Sequence, residues 1–122
     1  MEAELVASGR FARIETRGSV TGLARAVTIG FVDDPVVAGA ILVAAGGTDT
    51  AWARNLLADP ECHVELADRA FAATAETLEP AEHARAIREL ILRYGTPAES
   101  LGRGTSFRLR PAPSPGAAEG AA

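Results

Sequence analysis

The sequence predicts a mainly β protein with two helices, its strands closed into a small antiparallel barrel. Three observations carry this expectation. Short apolar/polar alternations recur along the chain between breaks that contain glycine or proline. Only two stretches show helical starts, stops and spacing. The connections are too short for a parallel sheet, in which each crossover needs a helix or a comparable segment, and closing the sheet on itself removes exposed edges.

The elements follow in order. Phe11 to Arg17 alternates around Ile14 and runs into Gly18-Ser19, a strand ending in a turn. From Ala24 to Val32, Val27, Ile29 and Phe31 share one face while Thr28 and Gly30 share the other, until Asp33-Asp34-Pro35 breaks the run. Ala40 to Ala45 is wholly apolar, as expected of a strand buried on both faces or at a barrel seam, and Gly46-Gly47 ends it. Thr48, Asp49 and Thr50 offer N-caps for a short helix reaching Asp59, where Pro60 stops it. Cys62, Val64 and Leu66, then Phe71, Ala73 and Ala75, alternate with more polar neighbours as a hairpin turning at Ala67-Asp68-Arg69.

A longer helix begins at Glu79-Pro80 with Glu82 in its first turn. It carries Ala84, Ile87, Leu90, Ile91 and Tyr94 on one stripe and closes at Gly95 and Pro97. Thr105 to Arg110 is a last strand with Phe107 and Leu109 inward and Ser106, Arg108 and Arg110 outward. Residues 1–110 therefore read as one domain. The proline- and alanine-rich run 111–122 reads as a disordered tail, too poor in apolar side chains to offset its ordering entropy.

Composition excludes several classes of function. A chain of 122 residues with 48% hydrophobic and 23% charged residues is built like an ordinary globular domain, not a disordered or fibrous one. A net charge of −4 argues against nucleic-acid binding, which needs a concentrated positive surface. No apolar run approaches the roughly 20 residues that span a bilayer, so no transmembrane segment is expected. One cysteine permits no internal disulfide, and Cys62 with His63 and His83 makes no metal site at a familiar spacing. Cys62 reads as a small buried hydrophobe, and the two histidines as exposed. All 12 basic residues are arginine, a bias consistent with a GC-rich genome and a cytoplasmic bacterial protein.

Three pieces together resemble one family. Thr16-Arg17-Gly18-Ser19-Val20-Thr21-Gly22, followed by Arg25-Ala26-Val27, is similar to the Thr-x-Gly-Arg-x-Ser/Thr-Gly strand-turn of the deazaflavin-dependent nitroreductases. That family is a branch of the flavin- and deazaflavin-binding split β-barrels, which include FMN-binding and pyridoxamine-phosphate-oxidase-like proteins. Gly46-Gly47 and the block from Ala51-Trp52 through Asn55-Leu56 to Pro60 resemble its Gly-Gly and Trp-Tyr-x-Asn-Leu-x-Ala-x-Pro segments. The chain departs from the pattern where Ser19 replaces an arginine and where Ala44-Ala45 replaces a basic residue before the glycine pair.

The resemblance implies a split barrel that binds coenzyme F-420, an 8-hydroxy-5-deazaflavin, and passes hydride between it and a small electron-poor acceptor such as a quinone or nitro compound. It implies cofactor contacts at Arg17, Ser19, Thr21, Arg25, Gly46, Gly47, Trp52 and Asn55. The residue types suit this: guanidinium forks, hydroxyls and open amides at Gly18 and Gly22 for phosphate, and a glycine pair and an indole for a flat ring. Tyr94 is the candidate proton donor or substrate contact. A homodimer is expected. FMN in place of F-420, and a non-catalytic barrel that sequesters a ligand, are the alternatives. Without the resemblance, Trp52 is core packing, Gly46-Gly47 the end of a strand and Tyr94 a helix-face aromatic.

Overall fold

A computed structural model describes residues 2–18, 21–46 and 50–112. Seven strands form one antiparallel sheet: β1 (Phe11–Arg17), β2 (Ala24–Gly30), β3 (Val32–Asp33), β4 (Ile41–Ala44), β5 (Glu61–Glu65), β6 (Ala70–Thr77) and β7 (Ser106–Pro111). Their order is β2-β1-β5-β6-β7-β4-β3. The two outermost strands, β2 and β3, are consecutive in the chain and joined by Phe31 alone. One residue cannot bridge the two edges of a flat seven-stranded sheet, so the sheet must curl until they meet. This is the antiparallel split barrel expected from the sequence.

The interior holds Ala12, Ile14, Val43, Val64, Phe107 and Leu109, all nearly or fully buried. Period-2 alternation supplies them: β1 buries Ala12, Ile14 and Thr16 and turns Phe11, Arg13, Glu15 and Arg17 away. Helix α2 (Ala51–Ala58) closes the interior with Trp52, Ala53 and Leu56. A second apolar layer lies outside the barrel, where α3 (Pro80–Tyr94) and a 3-10 helix (Thr96–Arg103) pack Ala86, Ile87, Leu90 and Ala98 on Val32, Leu42 and Ala44. Strand β4 is thus buried on both faces, as its unbroken apolar run demands.

Several expectations change. The run from Ala24 to Val32 is two strands, because the chain must pass from one sheet edge to the other at Phe31. A short helix α1 (Glu2–Ala7) precedes β1, its Val6 buried by tertiary packing that a six-residue segment does not signal. The 3-10 helix follows Gly95, whose φ of 94° ends α3. On α3, Ala84 is exposed while Ala86 is buried. Strand β7 extends to Pro111, paired with Ala73, and Ala112 N–H donates to the Ala72 carbonyl at 2.8 Å, so the expected tail does not begin at Pro111. Residues 113–122 lie outside the described residues.

On the outward face of β7, Arg110 is exposed as expected but Ser106 and Arg108 are buried. Arg108 is only 7% exposed and ion-pairs with Asp34 and Glu82, with Glu76 at 3.6 Å. His83 is half-buried, its Nδ1 2.7 Å from Ser106 Oγ, and its Nε2–H donates to the Gly102 carbonyl at 3.0 Å. Among the described residues, no helix is long and apolar enough to cross a membrane.

Candidate functional site

The hairpin of β1 and β2 and the start of α2 border an open cavity of about 450 Å³. Its walls follow from strand register. Thr16 and Arg25 are directly opposed partners on β1 and β2, so both point to the barrel side, and Val27 follows on that face two residues later. Helix α2 contributes Ala51, Trp52 and Asn55, the last two three residues apart and hence neighbours on one helical face. Gly18 and Thr21 of the turn complete the rim together with Ala26.

Trp52 is 8% exposed, its ring 5.9 Å from that of Phe107 at 56°. It is therefore both a core residue and a wall of the cavity. Asn55 is buried, and its Nδ2 donates to Thr16 Oγ1 at 3.0 Å. Among the described residues, Arg25 is the one charged member of the lining. Among the described residues of the lining there is no carboxylate, imidazole or thiol, and these walls offer shape, hydrogen bonds and a positive charge.

Of the residues singled out from sequence, Thr21, Arg25, Trp52 and Asn55 are brought together. Ser19 and Gly47 lie outside the described residues. Arg17 is sent the other way, since it follows inward-facing Thr16 by one position. It borders a separate cavity of about 280 Å³ with Glu15, Asp59, Glu61, Cys62 and His63, and its Nε is 3.7 Å from Asp59 Oδ2. There burial, reinforced by Asp59 and Glu61, pushes the Cys62 thiol up to about 11, so it stays protonated at neutral pH. Among the described residues, no group of three or more His, Cys, Asp or Glu could hold a metal.

The glycines behave differently from expectation. Gly18 N–H donates to the Leu23 carbonyl at 2.7 Å, and Gly22 N–H to the Gly18 carbonyl at 2.9 Å, so both amides are consumed by the turn. A β-carbon on Gly18 would stand 3.0 Å from Thr21 Oγ1, and Gly22 has a φ of 73°, so the turn itself requires both glycines. Gly46 is exposed and outside the cavity lining, and a β-carbon there would make only an ordinary 3.8 Å contact with Leu101. Thr50 is the N-cap of α2, but its side chain makes no cap bond; Thr48 and Asp49 lie outside the described residues.

Tyr94 does not reach the cavity. Its hydroxyl accepts from Phe31 N–H at 3.0 Å and lies against the carbonyls of Arg10 and Phe31, its single proton shared between them. The residue at the C-terminal end of α3 thus clamps the barrel seam, its ring lying against Gly30 and tilted at 48° to that of Phe11, 5.7 Å away. The sequence reading missed Thr16 as a lining residue. The signal was present: a lone hydroxyl in the inward series Ala12, Ile14, Thr16.

The chain matches the family model described as F420H(2)-dependent quinone reductase over residues 5–104. No curated protein matches it. Among solved structures it resembles "Structure of F420-H2 Dependent Reductase (FDR-A)", with 22% identity and a TM-score of 0.68, covering 83% of this chain and 94% of that one. A structure described as a domain-swapped dimer aligns with 20% identity and a TM-score of 0.66, covering 88% and 92%. HutZ, a heme storage protein of Vibrio cholerae, aligns with 18% identity and a TM-score of 0.71, covering 92% and 88%. At these identities the structural likenesses establish the split-barrel fold.

Proposed function

Because the chain belongs to the F420H(2)-dependent quinone reductase family and is on that ground an F-420-dependent oxidoreductase, we propose that its cavity seats the deazaflavin ring beside a small electron-poor acceptor such as a quinone or nitro compound. The observation that carries this reading is the convergence of Trp52, Asn55, Thr16 and Arg25 on one space of about 450 Å³. That volume lies within the range of roughly 300–1,000 Å³ typical of small-molecule sites. The lining fits the group: an indole edge and Val27 for a flat ring, amide and hydroxyl for its polar edge, and a guanidinium for an anionic substituent.

The bound cofactor would supply the hydride chemistry, and the protein its placement and shielding from water. The absence of a titratable acid or base from the described lining agrees with that division of labour. The comparisons support F-420 and give FMN no support. A homodimer is favoured by the domain-swapped neighbour and by Leu23 and Leu57, which are 59% and 56% exposed on elements bordering the cavity.

The experiment is a fluorescence titration of the purified protein with F-420, followed by turnover of the reduced cofactor with a panel of quinones and nitroarenes. Saturable one-site binding and acceptor-dependent oxidation are expected. Binding without turnover of any acceptor would instead indicate a ligand-sequestering barrel.

A further inference from the structure

Thr16 is 3% exposed and stands in the inward row of β1 behind Ala12 and Ile14, both fully buried. Valine would fill the same volume in that wall without a polar atom. The hydroxyl accepts a hydrogen bond from Asn55 Nδ2 at 3.0 Å, and Asn55 is itself only 6% exposed. A threonine hydroxyl has two acceptor lone pairs and one proton. With one lone pair taken by the amide, the proton remains to be placed, and among the described residues no acceptor receives it. Thr16 and Asn55 both line the cavity, so that is the space left for the missing partner.

We infer that Thr16 donates its hydroxyl proton to an acceptor atom, a carbonyl oxygen or unprotonated ring nitrogen, on the polar edge of the heterocycle in the cavity. Asn55 acts as the positioning residue that commits Thr16 to this role. The inference rests on the cofactor site proposed above and adds its polarity. One lone pair stays free to accept, but a ring presenting N–H at that point would leave the hydroxyl proton without an acceptor among the described residues, so a ring presenting an acceptor is the favoured partner. Thr21, the other hydroxyl among the described lining residues, accepts from Leu23 N–H at 3.2 Å and lies on the exposed turn. The buried Thr16 is therefore the hydroxyl that reads the ring.

The test is equilibrium binding of F-420 to the full chain. Thr16→Val should weaken binding about tenfold, the loss of a buried hydrogen bond that leaves the ligand's acceptor unpaired, while Thr16→Ser stays within about twofold of the wild type. Retained melting temperature of the unliganded Thr16→Val protein confirms that it folds. Asn55→Asp is the sharper variant, because a carboxylate captures the hydroxyl proton. It should weaken binding about as much as Thr16→Val, yet add nothing in the Thr16→Val background. Wild-type affinity in Thr16→Val or in Asn55→Asp overturns the assignment. So does an equal loss from Asn55→Asp in both backgrounds, which would mark charge repulsion. A wild-type protein that fails to bind F-420 overturns the site reading itself.

Discussion

The Tyr94 ring crosses Gly30 so closely that a β-carbon at position 30 would stand 2.9 Å from Tyr94 Cζ. Gly30 is the last residue of β2, one position before the chain leaves one edge of the sheet for the other. The hydroxyl at the far end of the same ring bonds the backbone of Phe31 and Arg10. Helix α3 therefore fastens the barrel at the point where it is held together by a single residue. Arg93 adds to this closure, donating to the Gly9 carbonyl at 2.7 Å with its guanidinium 4.7 Å from the Phe31 ring centre.

Gly30→Ala should destabilise the protein by about 1–3 kcal/mol, since the added carbon displaces a packed ring. Tyr94→Phe should cost about 1–3 kcal/mol by leaving the Phe31 amide and the Arg10 carbonyl without their shared partner. Urea unfolding measures both. F-420 affinity in Tyr94→Phe should stay within about twofold of the wild type, because the residue does not line the cavity. A large loss of affinity with unchanged stability would return Tyr94 to the site.

Arg108 and Asp34 form the buried counterpart of this seam. Asp34 has a fully inaccessible side chain beside the Arg108 guanidinium. Burial alone would raise the Asp34 carboxyl, but the hydrogen bond and charge of Arg108, with the amides of Val36 and Val37, hold it below its ordinary 3.8. Glu76 is held low chiefly by its hydrogen bond from Arg110, against a smaller effect of burial. A carboxyl depressed on folding contributes its full stability above its unfolded pKa and loses it as pH falls through the folded one. The wild type should therefore lose stability on acidification below about pH 4. Arg108→Met should cost about 3–5 kcal/mol at neutral pH by stranding Asp34, and adding Asp34→Asn should recover much of that and flatten the acid limb. Urea midpoints across pH decide the matter; equal acid limbs in the wild type and the double variant would remove the pair from the explanation.

How far the sequence carried can be argued from particular residues. The strands and the two longer helices were legible because their apolar spacing is enforced by the core: Phe107 and Leu109 inward, β4 apolar throughout. The outer layer was not, because Ser106 and Arg108 look like solvent-facing positions until α3 and the 3-10 helix are placed over them. In the candidate site, Trp52, Asn55 and Arg25 came from the family resemblance, and helical spacing and strand register are what bring them to one space. Arg17 lies away from that space because a strand sends adjacent residues to opposite faces, which a motif written as a string does not show. Tyr94 sits at the seam against Gly30 and Phe31, more than sixty positions away, a relation no local pattern contains.

Trp52 has two duties, and substitutions should separate them. Trp52→Ala removes a buried ring packed on Phe107 and should cost about 3–5 kcal/mol of stability as well as binding. Trp52→Phe keeps an apolar ring and should retain most of the stability while weakening F-420 binding through the smaller wall. Thermal melts with and without F-420 report both. If Trp52→Phe binds as the wild type does, the indole contributes packing alone.

Arg25 and Arg17 provide the most direct test of where the ligand sits, since their charges are alike and only strand register separates them. Arg25 opposes Thr16 and borders the cavity, whereas Arg17 faces Asp59 from the other side of β1. Arg25→Ala should weaken F-420 binding about tenfold at low salt, the scale of one charge-assisted hydrogen bond. The deficit should shrink as salt screens this exposed guanidinium. Arg17→Ala removes the same formal charge from the molecule, so any effect of net charge on association is common to both variants. It should leave the affinity within about twofold of the wild type, the residual effect expected of a surface ion pair. Equal losses in the two titrations would mean that the ligand spans both faces of the β1 tip, and the cavity drawn around Trp52 would then be only part of its site.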